Sequence, residues 1–200
     1  LIAENGASQP LTIGGSGDNI AVNIKASEIN AGKYGYAVIV FNPVQMNIES
    51  SIVKGWSALY FKGEDNSLGS AGSVVNVNAS KFKTVNTVAN SDASNTFATI
   101  QFEDENIELN VTGKSLISAH EGEHNHQYAF ALAVTENIKI NVEKEVVIDA
   151  THFINCELLG NAEIVLPYFY RDLFQQGHCR KRSKPYKMVA PQSPTFPFVP

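Results

Sequence analysis

The sequence predicts an all-β solenoid, a fold in which each repeat buries its apolar face only by stacking on its neighbours. Two observations support this fold class. An apolar segment built around one asparagine recurs five times, at steps of 24, 31, 32 and 31 residues, and each copy is followed by an apolar segment containing an early alanine. The alternation of Ile20, Val22 and Ile24 has a period of two, which is typical of strands rather than helices.

The asparagines at the centre of the first segment are Asn23, Asn47, Asn78, Asn110 and Asn141. If successive repeats stack at the usual interstrand spacing of about 4.8 Å, equivalent amides lie above one another. Each amide can then donate a hydrogen bond to its copy in the next repeat, so that an interior polar group is satisfied. We expect these residues to form an inward-facing structural ladder, with a ligand-binding role as the alternative.

The second segment begins at Ala37, Ala58, Ala98, Ala131 and Ala162. A small side chain suits a position where the chain bends sharply inward, so these residues are expected to be equivalent. Three stretches rich in turn formers, residues 63–72, 84–96 and 118–127, are expected to be loops. Loops on a rigid scaffold are common locations of binding sites.

Together, the asparagine-centred and alanine-headed strands resemble the right-handed parallel β-helix, the pectin-lyase-like superfold, of the type found in bacterial secreted and cell-surface proteins. The resemblance implies about five coils over residues 11–167. Residues 1–10 would form an N-terminal edge or cap, and residues 168–200 a basic, proline- and aromatic-rich tail. A secreted or cell-surface location is expected on the same grounds.

The same resemblance makes polysaccharides the natural substrate class, but the catalytic patterns of the superfold do not fit. Its lyases use Arg or Lys near carboxylate-bound calcium, and its hydrolases use three close Asp residues. No Arg precedes Arg171, and residues 1–167 carry nine Lys against nineteen acidic residues, a charge that repels polyuronates. A carbohydrate-active enzyme with an atypical loop site remains the alternative; it requires two carboxylates about 5–10 Å apart, for which Glu103 and Glu136 are candidates.

The favoured interpretation is therefore a module that binds a glycan or another surface molecule without catalysis, and a structural spacer is a further alternative. Neutral sugars could stack on exposed aromatic side chains, whose alternative role is packing at the edge of a coil. The candidates are Tyr34, Tyr36, Trp56 and Tyr128. We expect no cofactor, no nucleic-acid partner and no membrane insertion, and the oligomeric state stays open.

Residues 120–124 read H-E-G-E-H and match the H-E-x-x-H zinc-protease motif. That motif requires a helix, which places both imidazoles on one face beside the metal. Here it lies between two predicted strands and contains a glycine, so we expect a solvated loop; the alternative is an adventitious divalent-metal site formed by His120, Glu121, His124 and His126. The acidic run at residues 103–105, beside Asp92, is a calcium candidate, with a solvated turn as its alternative.

After Pro167 the composition changes abruptly. Residues 167–200 hold six of the eight prolines, all three arginines and a net charge of +5. A solenoid must cover its open end, so we expect this tail to fold back over the acidic coils; a disordered tail and a ligand-binding patch are the alternatives. In the first case Cys179 could reach Cys156 and form a disulfide.

Two asparagines, in Asn78-Ala-Ser and Asn110-Val-Thr, are formal N-glycosylation acceptors. Both belong to the predicted inward-facing ladder. For that reason neither is expected to carry a glycan.

Overall fold

The computed structural model describes residues 10–14, 20–32, 35–63, 69–86, 97–122, 127–133, 136–150, 152–156, 162–166 and 178–179. Within these ranges the regular secondary structure is all β-strand, arranged in three parallel sheets. No helix in the described ranges is long and apolar enough to cross a membrane. The prediction of an all-β architecture with repeated, stacked strands is confirmed.

The first sheet contains, in spatial order, β1 (Leu11–Ile13), β4 (Tyr36–Val40), β7 (Ser57–Phe61), β10 (Phe97–Phe102), β13 (Gln127–Leu132), β16 (His152–Cys156) and β18 (His178–Cys179). The second contains β2 (Ile20–Lys25), β5 (Val44–Glu49), β8 (Val74–Asn78), β11 (Glu108–Thr112), β14 (Lys139–Val142) and β17 (Glu163–Val165). The third contains β3 (Glu28–Asn30), β6 (Ile52–Gly55), β9 (Lys81–Asn86), β12 (Leu116–Gly122) and β15 (Val147–Asp149).

From β2 onwards the chain visits the second, third and first sheets in turn, and it repeats this order through β16. Each strand therefore pairs in parallel with the equivalent strand of the next repeat, as β5 does with both β2 and β8. Parallel pairing between successive repeats gives the molecule its solenoid-like architecture.

The hydrophobic core is built from residues that share a register. In the first sheet one interior column has five fully buried members, Val38, Leu59, Ile100, Phe130 and Ile154. In the next column the rings of Phe61 and Phe102 stack with centroids 5.0 Å apart. Because burying a side chain of this size contributes about 1.5–3 kcal/mol, repeated columns of this kind hold the repeats together.

The corner between the second and third sheets has a recurring conformation. Ala26, Ser50, Ala79 and Gly113 all have positive φ values, between 46° and 62°. Each is followed within two residues by a serine that precedes the third-sheet strand. The left-handed conformation turns the chain sharply, and the third-sheet strand begins directly after the serine.

The corner between the first and second sheets also contains residues with positive φ, namely Gly72, Asn106 and Asn137. Their backbones are joined between repeats: the Gly72 N–H donates to the Asn106 carbonyl, and the Asn106 N–H donates to the Glu136 carbonyl, each over 3.0 Å. The Asn137 side chain donates to that of Asn106 over 2.8 Å. Asparagine tolerates this backbone region better than most residues, which explains its use here.

Two of the expected loops are shorter than the sequence suggests. Residues 84–86 continue β9, and residues 118–122 continue β12, with a register shift between Ser118 and Glu121. The remainder of both stretches, apart from Gln127 in β13, lies outside the described residues. Turn-forming residues such as Asn86 and Gly122 are accommodated in strands because neighbouring repeats supply parallel partners for them.

The alanines of the second segment do not occupy one equivalent position, contrary to expectation. Ala37, Ala58 and Ala98 are each the second residue of a first-sheet strand, whereas Ala131 lies late in β13 and pairs with Gln101. Ala162 precedes β17 of the second sheet. In β13 the residue in register with Ala98 is Tyr128, and the fully buried Ala129 follows it.

Candidate functional site

Three aromatic side chains come together near the start of the first-sheet strands. The ring of Tyr36, in β4, stacks on that of Tyr60, in β7, with centroids 4.6 Å apart, and it lies 5.7 Å from the ring of Trp56. Tyr36 and Trp56 are half-buried, and Tyr60 is 7% exposed. We call Tyr36, Trp56 and Tyr60 the aromatic cluster.

The backbone fixes the position of Trp56 between β6 and β7. The Trp56 N–H donates to the carbonyl of Gly35 over 2.7 Å. The preceding residue must be glycine, because a Cβ added to Gly55 would lie 2.6 Å from that same carbonyl oxygen. Close approach of two backbones at Gly55 thus brings the indole next to Tyr36.

Charged side chains adjoin the aromatic cluster. Lys62 Nζ lies 3.0 Å from Glu103 Oε2 and 5.9 Å from the centre of the Tyr60 ring, which is within the range of a cation–π contact. Both charged side chains are about one-third exposed, at 33% and 37%. The edge of the cluster therefore offers an ammonium and a carboxylate to solvent.

Glu103 also alters the acidity of the neighbouring phenols. Burial, a hydrogen bond to the Glu103 carboxylate and its negative charge together raise the pKa of Tyr60 well above its usual range. Burial, and then the charge of Glu103, raise the pKa of Tyr36. Phenols are already protonated at neutral pH, and the raised pKa extends the protonated form of both into more alkaline solution.

The structure brings together two of the four predicted glycan-binding aromatics, Tyr36 and Trp56. Tyr128 lies in β13, where its ring is 5.1 Å from that of His152; it is 6% exposed, and burial raises its pKa. Its prediction as an exposed stacking surface is corrected, because both faces of this part of the first sheet are packed. Tyr34 lies outside the described residues.

Sequence reasoning missed Tyr60 and Lys62, and it considered Glu103 only as a hydrolytic carboxylate or as part of a calcium site. The alternation of Leu59, Tyr60 and Phe61 in β7 could have indicated Tyr60, since its neighbours belong to the interior cluster. Nothing in the sequence indicates that Glu103 lies beside Lys62. Residue 103 follows β10 and residue 62 follows β7, and the two strands are adjacent only after the repeats stack.

The carboxylates considered for hydrolysis have separate surroundings. Glu103 forms the ion pair with Lys62, whereas Glu136 is exposed in the turn before β14. In the acidic run, Asp104 accepts backbone N–H groups from Ala71 and Glu105, each over 2.9 Å. Both carboxylate oxygens of Asp104 thus stabilise a turn, which favours the solvated turn over a calcium site. Asp92 lies outside the described residues.

The H-E-x-x-H segment is not helical where it is described. Residues 120–122 belong to β12, so the loop expected there is corrected to a strand. The zinc-protease motif needs a helix that begins at its first histidine, and residue 120 lies in a strand, so the described part of the motif does not have the zinc-protease geometry. The side chains of His120 and Glu121, and all of His124 and His126, lie outside the described residues; the remainder of the described chain contains no group of three or more His, Cys, Asp or Glu suited to a metal.

An asparagine row crosses the outer face of the second sheet. Side-chain amides donate along it from one repeat to the preceding one, over 3.0, 3.1, 3.0 and 2.6 Å. Its members are Asn23, Asn47, Asn76, Asn110 and Asn141. This asparagine row differs from the predicted ladder in one member and in its direction.

The third member is Asn76, not the predicted Asn78. The sequence V-N-V-N of β8 offers two asparagines with the same alternation, and register alone selects Asn76, which pairs with Asn47 and Asn110. The prediction that the row faces the interior is also wrong. In β5 the buried residues are Val44, Met46 and Ile48, so Asn47 lies on the solvent face.

Comparison with known proteins finds no matching family model, no matching curated protein and no matching solved structure.

Proposed function

We propose that this chain is a right-handed parallel β-helix of about five coils that acts as a secreted or cell-surface module for binding a polysaccharide. The observation that carries the proposal is the aromatic cluster with Lys62 and Glu103 at its edge. The binding needs no cofactor, and the ligand is a neutral glycan.

Aromatic side chains suit sugars because the C–H groups of a pyranose ring pack on the face of an aromatic ring. Trp56 and Tyr36 are half-buried, which leaves part of each ring accessible while the rest is held in place. Tyr60 supports Tyr36 from below through ring stacking at 4.6 Å. The cluster is therefore a rigid platform, and binding loses little side-chain entropy.

The polar groups at the edge suit the hydroxyls of a sugar. A carboxylate accepts and an ammonium donates hydrogen bonds, and bonds to charged groups are stronger than those between neutral groups. Lys62 and Glu103 neutralise one another, so the edge carries no net charge. This favours a neutral glycan, in agreement with the excess of acidic residues in the rest of the chain, which repels polyanions.

The test is affinity electrophoresis of the purified protein in gels that contain neutral or acidic polysaccharides. We expect retardation by at least one neutral polysaccharide, and Trp56→Ala is expected to weaken it about tenfold, the usual contribution of one stacked aromatic ring. Lys25→Ala, which changes an exposed side chain of the second sheet, is the control and should bind like the wild type. Urea unfolding of both variants checks that the fold is retained.

Retardation by no neutral polysaccharide, or equal retardation of Trp56→Ala and the wild type, would contradict the proposal. The same polysaccharides are incubated with the protein and assayed for new reducing ends and for unsaturated products. Release of either product would show that the chain is a carbohydrate-active enzyme and not a binding module.

A further inference from the structure

We propose that the outer face of the second sheet is the interface of a symmetric dimer of this chain. The asparagine row runs along the middle of this face; Asn23, Asn47 and Asn76 are exposed, and Asn110 and Asn141 are half-buried. The aromatic cluster is built on β4 and β7 of the first sheet, so the proposal does not depend on glycan binding.

Two further rows of side chains flank the asparagine row on the same face. The leading row, on the amino-terminal side of the asparagines, consists of Ala21, Gln45, Val74, Glu108 and Lys139. The trailing row, on the carboxyl-terminal side, consists of Lys25, Glu49, Asn78, Thr112 and Glu143. Neighbouring members of each row are about 4.8 Å apart, because they lie on paired strands.

A second copy can cover this face with its own. A two-fold axis along the asparagine row sets each strand against the same strand of the other copy. The two asparagine rows then face each other, and the leading row of one copy faces the trailing row of the other. Such an interface is isologous, and the shared spacing keeps the side chains in phase from β2 to β17.

The facing rows are complementary in charge. The residues that oppose one another across the two copies are Glu143 and Lys139, Glu108 and Thr112, Glu49 and Gln45, Lys25 and Ala21, and Asn78 and Val74. Each carboxylate in these rows therefore meets an ammonium, a hydroxyl or an amide, all of which donate hydrogen bonds. No two like charges in the three rows oppose each other, so a second copy fits the face.

An axis that runs across the strands fits less well. If it passes through β8, β17 has no counterpart in the other copy. If it passes between β8 and β11, Glu49 opposes Glu143, and two facing carboxylates repel. The axis along the asparagine row avoids both problems.

The amides of the asparagine row can bond across the axis. Within one copy each amide donates one N–H and accepts one hydrogen bond along the row, as Asn47 does with Asn23 and Asn76. A second N–H and a second lone pair remain, and an asparagine and its own copy can use them reciprocally. Asn110 is the exception, because its Nδ2 also donates to Glu108 Oε1 over 3.0 Å. Stacked asparagines are a known element of packing between paired sheets.

The area of the face sets the expected affinity. Strands about 4.8 Å apart and about five residues long give an interface on the order of 1,000 Å² for both copies together. This is near the lower limit for specific association, and the face is polar. We therefore expect a dimer that dissociates in the micromolar range and not an obligate one.

The experiment is sedimentation equilibrium of the purified full chain from about 1 to about 500 µM, a range suited to an interface of this size. Gln45→Glu places a carboxylate against Glu49 of the other copy, twice in each dimer, and should weaken association at least about tenfold. Lys81→Gln changes the net charge by the same amount at an exposed position on the third sheet. It is the matched control and should associate like the wild type.

A second substitution tests the facing pair itself. Gln45→Glu combined with Glu49→Gln exchanges the carboxylate and the amide, so each again meets its complement, and association should return to within about threefold of the wild type. The change at Glu49 also removes its exposed ion pair with Lys25, which contributes little to stability. A purely structural role of Gln45 would not be rescued in this way.

The wild-type mass decides first whether the chain associates. A monomer at every concentration would overturn the proposal and leave the face to solvent or to a different partner, and assembly beyond a dimer would overturn it as well. Equal dissociation constants for the wild type and Gln45→Glu would exclude this face. Failure of the double variant to dimerise, with a urea midpoint like that of the wild type, would overturn the axis along the asparagine row.

Discussion

At the scale of single residues, serines determine how the repeats join at the corner between the second and third sheets. The Oγ atoms of Ser51, Ser80 and Ser115 accept the backbone N–H of the equivalent serine in the preceding repeat, over 3.0–3.1 Å. Each hydroxyl also donates to a carbonyl of its own repeat, as Ser80 does to Asn78. A tight, buried corner thereby satisfies backbone groups that no strand pairing reaches.

Replacement of Ser80 should show the importance of this corner. Ser80→Ala leaves the buried Ser51 N–H without its acceptor, and we expect the free energy of unfolding to fall by about 1–3 kcal/mol. Ser27→Ala is the matched control, because its hydroxyl donates to Lys25 at an exposed position and accepts no backbone N–H from any residue that the structure describes. It should cost less than about 0.5 kcal/mol. Urea denaturation measures both, and equal losses would contradict this account of the corner.

At the scale of strands, the asparagine row adds side-chain hydrogen bonds to the backbone ladder of the second sheet. Ion pairs on adjacent strands accompany it, between Lys25 and Glu49 over 3.0 Å and between Lys139 and Glu108 over 3.6 Å. These pairs are exposed and contribute little individually. They help to fix the register of the strands, since a slip of one residue would break the asparagine row and both ion pairs together.

The correction of Asn78 to Asn76 can be tested by comparing two substitutions on one strand. Asn76→Ala removes the amide contacts to Asn47 and Asn110, and we expect unfolding to become easier by about 1 kcal/mol. Asn78→Ala changes the same residue type on the same face and should alter stability by less than about 0.5 kcal/mol. If the two urea midpoints shift equally, the asparagine row does not stabilise the sheet.

At the scale of the molecule, the C-terminal segment takes part in the solenoid. β18, at His178–Cys179, extends the first sheet by pairing with β16. We propose that the basic tail covers this end of the acidic coils, as the charge difference between residues 1–167 and 167–200 favours. The parallel register also sets Cys156 opposite Cys179.

A disulfide between these cysteines is the expected result of that register, because Cα positions on adjacent strands are within the range that a disulfide spans. The denatured protein, recovered from an oxidising compartment, should incorporate two alkyl groups only after reduction, as measured by intact mass. Cys156→Ser and Cys179→Ser should each lower stability by about 3 kcal/mol, the loop-closure contribution for a loop of this length. Alkylation of both thiols without reductant would contradict the prediction.

Much of the architecture follows from local patterns in the sequence. Alternation such as that of Val44, Met46 and Ile48 requires strands, and its repetition requires stacked repeats, because a single strand cannot bury its apolar face alone. Four members of the asparagine row were identified from this repetition. Asn76 and Asn78 could not be separated, since both satisfy the alternation and only the strand register distinguishes them.

The sequence by itself determined the all-β class and the stacked repeats, because these depend on apolar periodicity along the chain. Tertiary structure alone decided which face the asparagines occupy, the burial of Tyr128 and the meeting of Tyr60, Lys62 and Glu103. These features depend on residues in different repeats, up to 43 positions apart, whose proximity is set by how the repeats stack. The distances between these side chains cannot be derived from sequence spacing until the register between the strands is known.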